Sequence, residues 1–157
     1  APEEVIGKLA ILKQGADLHS STFAQMVAYE ASRGGFLDRH VKLIRRVYTE
    51  RRDAMLAALE RHAPAGVRWT RPQGGLFLWV TLPAAVQAAA VVPDALAANV
   101  AFIPGNAFHP QGGCANTMRL NFSYSRPEVI EGGIARLCAV LRRHVGAQAS
   151  VTALSAG

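Results

Sequence analysis

The chain has 157 residues, 50% of them hydrophobic and 18% charged, which fits a folded chain with an ordinary core and excludes a disordered one. Its net charge is +6 and its pI about 10, so nucleic acid is the first partner class to weigh. However, Arg39, Lys42, Arg45, Arg46, Arg51 and Arg52 interleave with an apolar helical stripe, which is the pattern of a solvated helix face. No groove-reading module accompanies them, and this argues against nucleic acid.

Membrane, export and metal classes are argued against in the same way. The longest apolar stretch, Ala84 to Ala98, is broken by Gln87, Pro93 and Asp94 and falls short of the roughly 18 residues a membrane span needs. The start, Ala1-Pro2-Glu3-Glu4, is acidic where a signal peptide is basic. Cys114 and Cys138 are too few and too far apart for a metal site or a disulfide framework. They read as unpaired thiols of a cytoplasmic protein. The mean hydropathy of +0.14 is high for a soluble domain and is compatible with apolar surface meant to be covered by a partner or by further chain.

In chain order, Pro2 with Glu3 and Glu4 opens a helix, because the proline lacks an N–H that would be unpaired there and the acids favour the helix dipole. Val5, Ile6, Leu9 and Leu12 continue it to about Gly15. A serine of Asp17-Leu18-His19-Ser20-Ser21-Thr22 caps a second helix, from about Thr22 to Arg33. After Gly34-Gly35 a long helix runs from Phe36 to about His62, with Leu37, Val41, Ile44, Tyr48, Met55 and Leu59 on one stripe. Pro64-Ala65-Gly66 stops it.

Strand character follows. Val67 to Thr70 reads as a strand, Arg71 to Gly75 as a turn, and Leu76 to Leu82 as a central strand rich in β-formers. Ala84 to Ala98 reads as a helical segment interrupted at Pro93, and Val100 to Ile103 as a short strand closed by Pro104-Gly105-Asn106. From Thr117 to Ser123, Met118, Leu120 and Phe122 alternate with Arg119, Asn121 and Ser123, a period of two. Ser125 and Glu128 have capping-box spacing ahead of a last helix striped by Ile130, Ile134, Leu137 and Leu141. The tail after Gly146 is expected to fray. The class is therefore α/β with an α+β small domain: helices first, then a small, mainly antiparallel sheet with helices packed on one face.

Chemistry-bearing motifs are sparse. His19, His40, His62, His109 and His144 have no metal or triad spacing, and Ser20, Ser21 and Ser123 lack a nucleophile-elbow context. Gly74-Gly75 and Gly112-Gly113 do not open a helix as a phosphate loop does. No catalytic residue and no metal ligand is singled out. Arg119 stands apart: a guanidinium on a short strand beside apolar neighbours needs water, an internal acid or a bound anion, and its planar fork suits a carboxylate.

Four motifs in order carry a resemblance. They are Asp17-Leu18-His19-Ser20-Ser21-Thr22-Phe23-Ala24-Gln25, Pro72-Gln73-Gly74-Gly75-Leu76-Phe77-Leu78-Trp79, Val100-Ala101-Phe102-Ile103-Pro104-Gly105 with Phe108, and Asn116-Thr117-Met118-Arg119-Leu120-Asn121-Phe122-Ser123. Together they resemble the C-terminal part of fold-type I pyridoxal-phosphate-dependent aminotransferases, nearest the 2-aminoadipate/kynurenine branch. The resemblance implies part of an aspartate-aminotransferase-like fold. It divides the chain into the helical end of a large cofactor-binding domain (1–34), a long interdomain helix (35–62), a C-terminal small domain (63–146) and the tail (147–157). It implies that Arg119 binds the α-carboxylate of an amino acid or 2-oxo acid substrate. It places the loop from Pro104 to Phe108, with Gly105, at the active-site mouth. It brings Leu18, Ser20 and Ser21 toward the site of the other subunit of a homodimer.

In that family the lysine that binds pyridoxal phosphate lies upstream of the position matching Ala1. Lys8, Lys13 and Lys42 match no such motif and read as surface lysines. The expectation is a chain that carries the substrate-binding part, lacks the N-terminal cofactor domain and is inactive alone. Two other readings stay open: an aminotransferase-like effector domain of a transcriptional regulator, and a stand-alone module binding small carboxylates.

Overall fold

The computed structural model describes residues 1–155, with side chains through Ala147. The tail expected at 147–157 falls, from Gln148 on, outside the described side chains. The chain forms two units, Ala1–Ile44 and Arg45–Gly157, and the division falls inside the long helix.

The first unit is helical. Helix α1 spans Glu3–Ala16 and α2 spans Thr22–Ser32. The Ser21 hydroxyl caps α2 by accepting the Ala24 N–H at 3.3 Å, as the serine run suggested. Gly34 and Gly35, at φ +65° and +73°, turn the chain into α3, Phe36–His62; glycine takes this left-handed region without steric cost. The sequence stripes are present on α1 and α2, yet neither helix has a buried residue.

The second unit holds the core. Its sheet has four strands, β1 (Arg68–Trp69), β2 (Phe77–Thr81), β3 (Ile103–Pro104) and β4 (Thr117–Asn121), in the order β1-β2-β4-β3. All three pairings are antiparallel. Helices α4 (Ala88–Ala97) and α5 (Pro127–Ser155) complete it. Because side chains alternate along a strand, Leu78, Val80, Met118 and Leu120 share one face, and all four are buried. They join Met55, Ala58 and Leu59 of α3, Val91 and Ala95 of α4, and Ile130, Ile134, Leu137, Cys138 and Leu141 of α5 in one cluster. Burying each such side chain contributes roughly 1.5–3 kcal/mol. Burial also pushes the Cys138 thiol up to about 11, since a thiolate is poorly solvated there. Both cysteines are free thiols.

Polar contacts pin α5 to the neighbouring helices. Glu131 pairs with Arg61 and, at 2.9 Å, with His62 Nε2; His144 Nε2 meets Asp94 at 2.8 Å. Hydrogen bonds from Arg61 and His62 hold the Glu131 carboxyl below its ordinary range.

Several expectations are corrected. Pro93 lies inside α4 and does not interrupt it; the bond it forgoes is to the carbonyl four residues back, in the first turn, and Ala88, Val91 and Ala95 are buried around it. The helix begins at Ala88, so Ala84 to Gln87 precede it. The third strand is shorter and later than the expected Val100 to Ile103, because the Val100 N–H is bound by the Ala95 carbonyl at 2.9 Å. The Ser125–Glu128 capping box is not formed among the described residues, and the Arg126 carbonyl takes the Ile130 N–H at 3.0 Å. The backbone of α5 continues past Gly146; a single helical glycine costs only about 1 kcal/mol. Finally, Arg51 and Arg52 are not simply solvated: Arg51 donates to the Ser123 carbonyl and Arg52 to the Pro72 carbonyl at 3.2 Å.

Candidate carboxylate-binding site

The face of the sheet opposite the core carries Phe77 and Trp79 from β2 and Arg119 from β4. Register sets their relations: Trp79 is directly opposite Arg119, Phe77 is opposite Asn121, and Ile103 of the edge strand is opposite Arg119 on its other side. Phe77 is thus a diagonal neighbour of Arg119, within reach of long side chains. Its ring lies under the guanidinium, with Arg119 Cζ 3.9 Å from the ring centroid. A second ring, Phe108, lies 4.6 Å from the same carbon.

Phe108 reaches this position through a tight turn. A 3-10 turn, Gly105–Phe108, leaves β3 and passes over the sheet. A Cβ on Gly105 would fall 1.9 Å from Thr117 Oγ1 and 2.9 Å from Trp79 Cζ2, so only glycine lets the turn descend this far. That descent buries Thr117, whose hydroxyl donates to the Cys114 carbonyl at 2.7 Å. Trp79 meets Phe108 edge to face, with ring centroids 5.7 Å apart, and His109 at 6.3 Å. Such edge contacts between rings contribute of order 1 kcal/mol beyond area burial.

Arg119 itself is half-buried. Among the described residues its side chain has no hydrogen bond and no ion pair; the specific contacts of the guanidinium are the two rings. The internal-acid alternative for Arg119 is therefore not realised in these residues. The nearby polar groups are paired locally: Asn121 Oδ1 accepts both the Ser123 N–H at 2.6 Å and the Ser123 hydroxyl at 2.8 Å. A guanidinium that stacks on a ring through its own face keeps its in-plane N–H donors available. The arrangement presents an unneutralised fork set in apolar surface, Phe77, Ile103 and Phe108 each being about two-fifths exposed (37, 41 and 41%).

Of the six residues singled out from sequence, Arg119, Phe108 and Gly105 come together in the second unit. Leu18, Ser20 and Ser21 lie in the first. There Leu18 adopts φ +63°, uncommon for a large side chain, and His19 Nδ1 lies 2.8 Å from the Ser20 carbonyl. Phe77, Trp79 and Thr117 were not singled out, though the i, i+2 spacing of Phe77 and Trp79 on a strand was a usable signal. The remaining histidines are taken up elsewhere: His62 and His144 in contacts with the carboxylates of Glu131 and Asp94, and His40 stacked on Phe36 at 5.6 Å. Among the described residues no cluster of three or more His, Cys, Asp or Glu could hold a metal ion, and no helix is long and apolar enough to cross a membrane.

Comparison with known proteins gives a consistent family signal. The family described as aminotransferase class I and II matches residues 1–137. The aromatic-amino-acid aminotransferase 1 of Thermococcus litoralis is 44% identical over 145 residues, 92% of this chain and 35% of that protein. The crystal structure of LysN, the alpha-aminoadipate aminotransferase of Thermus thermophilus, complexed with N-(5'-phosphopyridoxyl)-L-leucine, superposes with a TM-score of 0.84 at 42% identity. That match covers 93% of this chain and 37% of LysN. A more distant likeness, 34% over 142 residues, is to the HTH-type transcriptional regulator YisV of Bacillus subtilis, covering 90% of this chain and 29% of YisV. The chain thus spans about a third of the length of the aminotransferases it matches.

Proposed function

The chain belongs to the class I and II aminotransferases, and from that premise we propose that it forms the substrate-carboxylate side of an enzyme moving an amino group between an amino acid and a 2-oxo acid. The observation that carries the reading is Arg119, in contact with the rings of Phe77 and Phe108 and without an acid partner among the described residues. Two parallel N–H donors of its fork match the two oxygens of a carboxylate. The apolar surround weakens competition from water and strengthens that pairing. A carboxylate fixed at β4 holds the adjoining α-carbon at a set place over the sheet, and such orientation contributes strongly to rate.

Pyridoxal phosphate is the cofactor this reading calls for, supplying an electron sink for the substrate's α-carbon. The lysines present do not fit the covalent binding of that group. Lys8 and Lys42 are exposed on helices, and Lys13 is exposed and paired with Asp17 at 2.9 Å. A Schiff-base lysine needs the reverse, a desolvated amine or one beside another cation. No residue of this chain is therefore assigned to the cofactor, and the covalent chemistry belongs to the rest of the enzyme. Homodimerisation, with Leu18, Ser20 and Ser21 serving the site of the other subunit, is part of the same proposal, as is a cytoplasmic location.

The likeness to YisV favours a second reading, an effector domain of a regulator. The 44% identity to an aminotransferase, against 34% to YisV, ranks it below the first. In the whole protein, Arg119→Ala should raise KM for amino acid substrates by about tenfold to a hundredfold, the loss of a charge-assisted pair. Unchanged kinetics in that variant would remove the assignment, and a whole protein with no transamination activity would favour the regulator.

A further inference from the structure

We propose that Phe77 and Phe108 are positioning residues that align the Arg119 guanidinium for its carboxylate before the ligand arrives. This rests on the reading of Arg119 as the carboxylate anchor and adds a cause for its readiness. An arginine side chain has several rotatable bonds and loses considerable rotamer freedom when fixed. An acid partner usually fixes it. Here no described acid does so, and the restraint comes from two rings, at 3.9 and 4.6 Å. A ring attracts the cation without accepting the paired N–H bonds that a carboxylate takes, so it restrains the guanidinium without neutralising its charge.

The two rings come from separate elements. Phe77 is set by the β2–β4 register, Phe77 opposite Asn121. Phe108 is set by the turn that only a glycine at 105 allows, and is braced by the edge of Trp79. A ligand bound by a preset fork loses less freedom on binding, so its affinity is higher than for the same arginine unrestrained. The aromatic face, and not simply apolar bulk, is the requirement, because an aliphatic side chain has no quadrupole to hold a cation.

The test uses propionate as a monocarboxylate probe on the whole protein, reading both its Kd and the Arg119 Nε–Hε resonance. Phe77→Leu should weaken propionate roughly tenfold and broaden or shift that resonance, with Phe108→Leu smaller because its ring is farther. Phe77→Tyr should restore most of the loss. In turnover, the leucine variants should raise KM with kcat nearly kept. Both rings are about two-fifths exposed (37 and 41%), so these variants should keep the parent's unfolding temperature. Propionate bound as tightly by Phe77→Leu as by the parent, while Arg119→Ala weakens it, overturns this inference and leaves the anchor standing. Propionate unaffected by Arg119→Ala overturns the anchor itself. In an Arg119→Ala background Phe77→Leu should have no further effect; a further loss of about tenfold there would mean the ring meets the ligand directly, against a positioning role.

Discussion

The two units carry similar apolar patterns and treat them oppositely. In the first, Leu9 and Leu12 of α1 and Phe23, Met26 and Val27 of α2 recur at helical spacing, yet all are at least half exposed. In the second, Ile130, Ile134, Leu137 and Leu141 recur with the same spacing and are at most 4% exposed. The difference teaches that an amphipathic stripe specifies a helix and a face, while burial needs an opposing surface. The sheet face of Leu78, Val80, Met118 and Leu120 supplies one for α5. Helix α3 shows both behaviours in one element, with Leu37 51% exposed and Leu59 1% exposed.

The comparison is sharpened most by Leu137→Ala. It should cost about 3–4 kcal/mol in urea unfolding, since a fully buried leucine leaves both a transfer loss and a cavity. A loss under about 1 kcal/mol would mean the core of the second unit relaxes freely. Gly105→Ala comes next, at about 1–3 kcal/mol, because its Cβ has no room against Thr117 and Trp79 and the turn must lift. The same variant should weaken carboxylate binding by displacing Phe108, which a titration with propionate reads. Stability equal to the parent's would show that the turn is not held by this close approach.

A pH series probes the ties of α5. The Glu131 carboxyl is lowered by Arg61 and His62 in the folded state, so the unfolded chain takes up its proton first as pH falls. The stabilisation is therefore present above the ordinary carboxylate value of 4.5 and is lost as pH falls through it toward the folded value. The unfolding temperature of Glu131→Gln should lie below the parent's near neutral pH and converge with it in acid. A constant gap across that range would show that the ionised carboxylate contributes nothing. The smallest effect is expected at Leu12→Ala, under about 0.5 kcal/mol, because Leu12 is 68% exposed. A loss as large as that of Leu137→Ala would break the comparison, showing that the first unit's stripe is covered in solution.

Helices were the most legible elements. Glu3 to Ala16, Thr22 to Ser32 and Phe36 to His62 follow from capping, glycine and proline signals that act within a few residues. Strands β2 and β4 were legible from β-formers and a period of two. Local signals misled in two places. Pro93 is carried within α4 by the burial of its neighbours, and the strand expected from Val100 gives way to a backbone bond with Ala95. At the site, Arg119, Gly105 and Phe108 were legible as residues. Their grouping with Phe77 and Trp79 was not, because it depends on a pairing between strands far apart in the sequence.

By itself the sequence determined the helices, the two central strands, the family resemblance and the choice of Arg119, since each rests on short-range pattern or residue chemistry. Only the tertiary structure decided which stripes are buried and what surrounds the guanidinium. Both depend on register and on close approach: β2 against β4 sets Phe77 beside Arg119, and the absent Cβ of Gly105 lets Phe108 approach it as well.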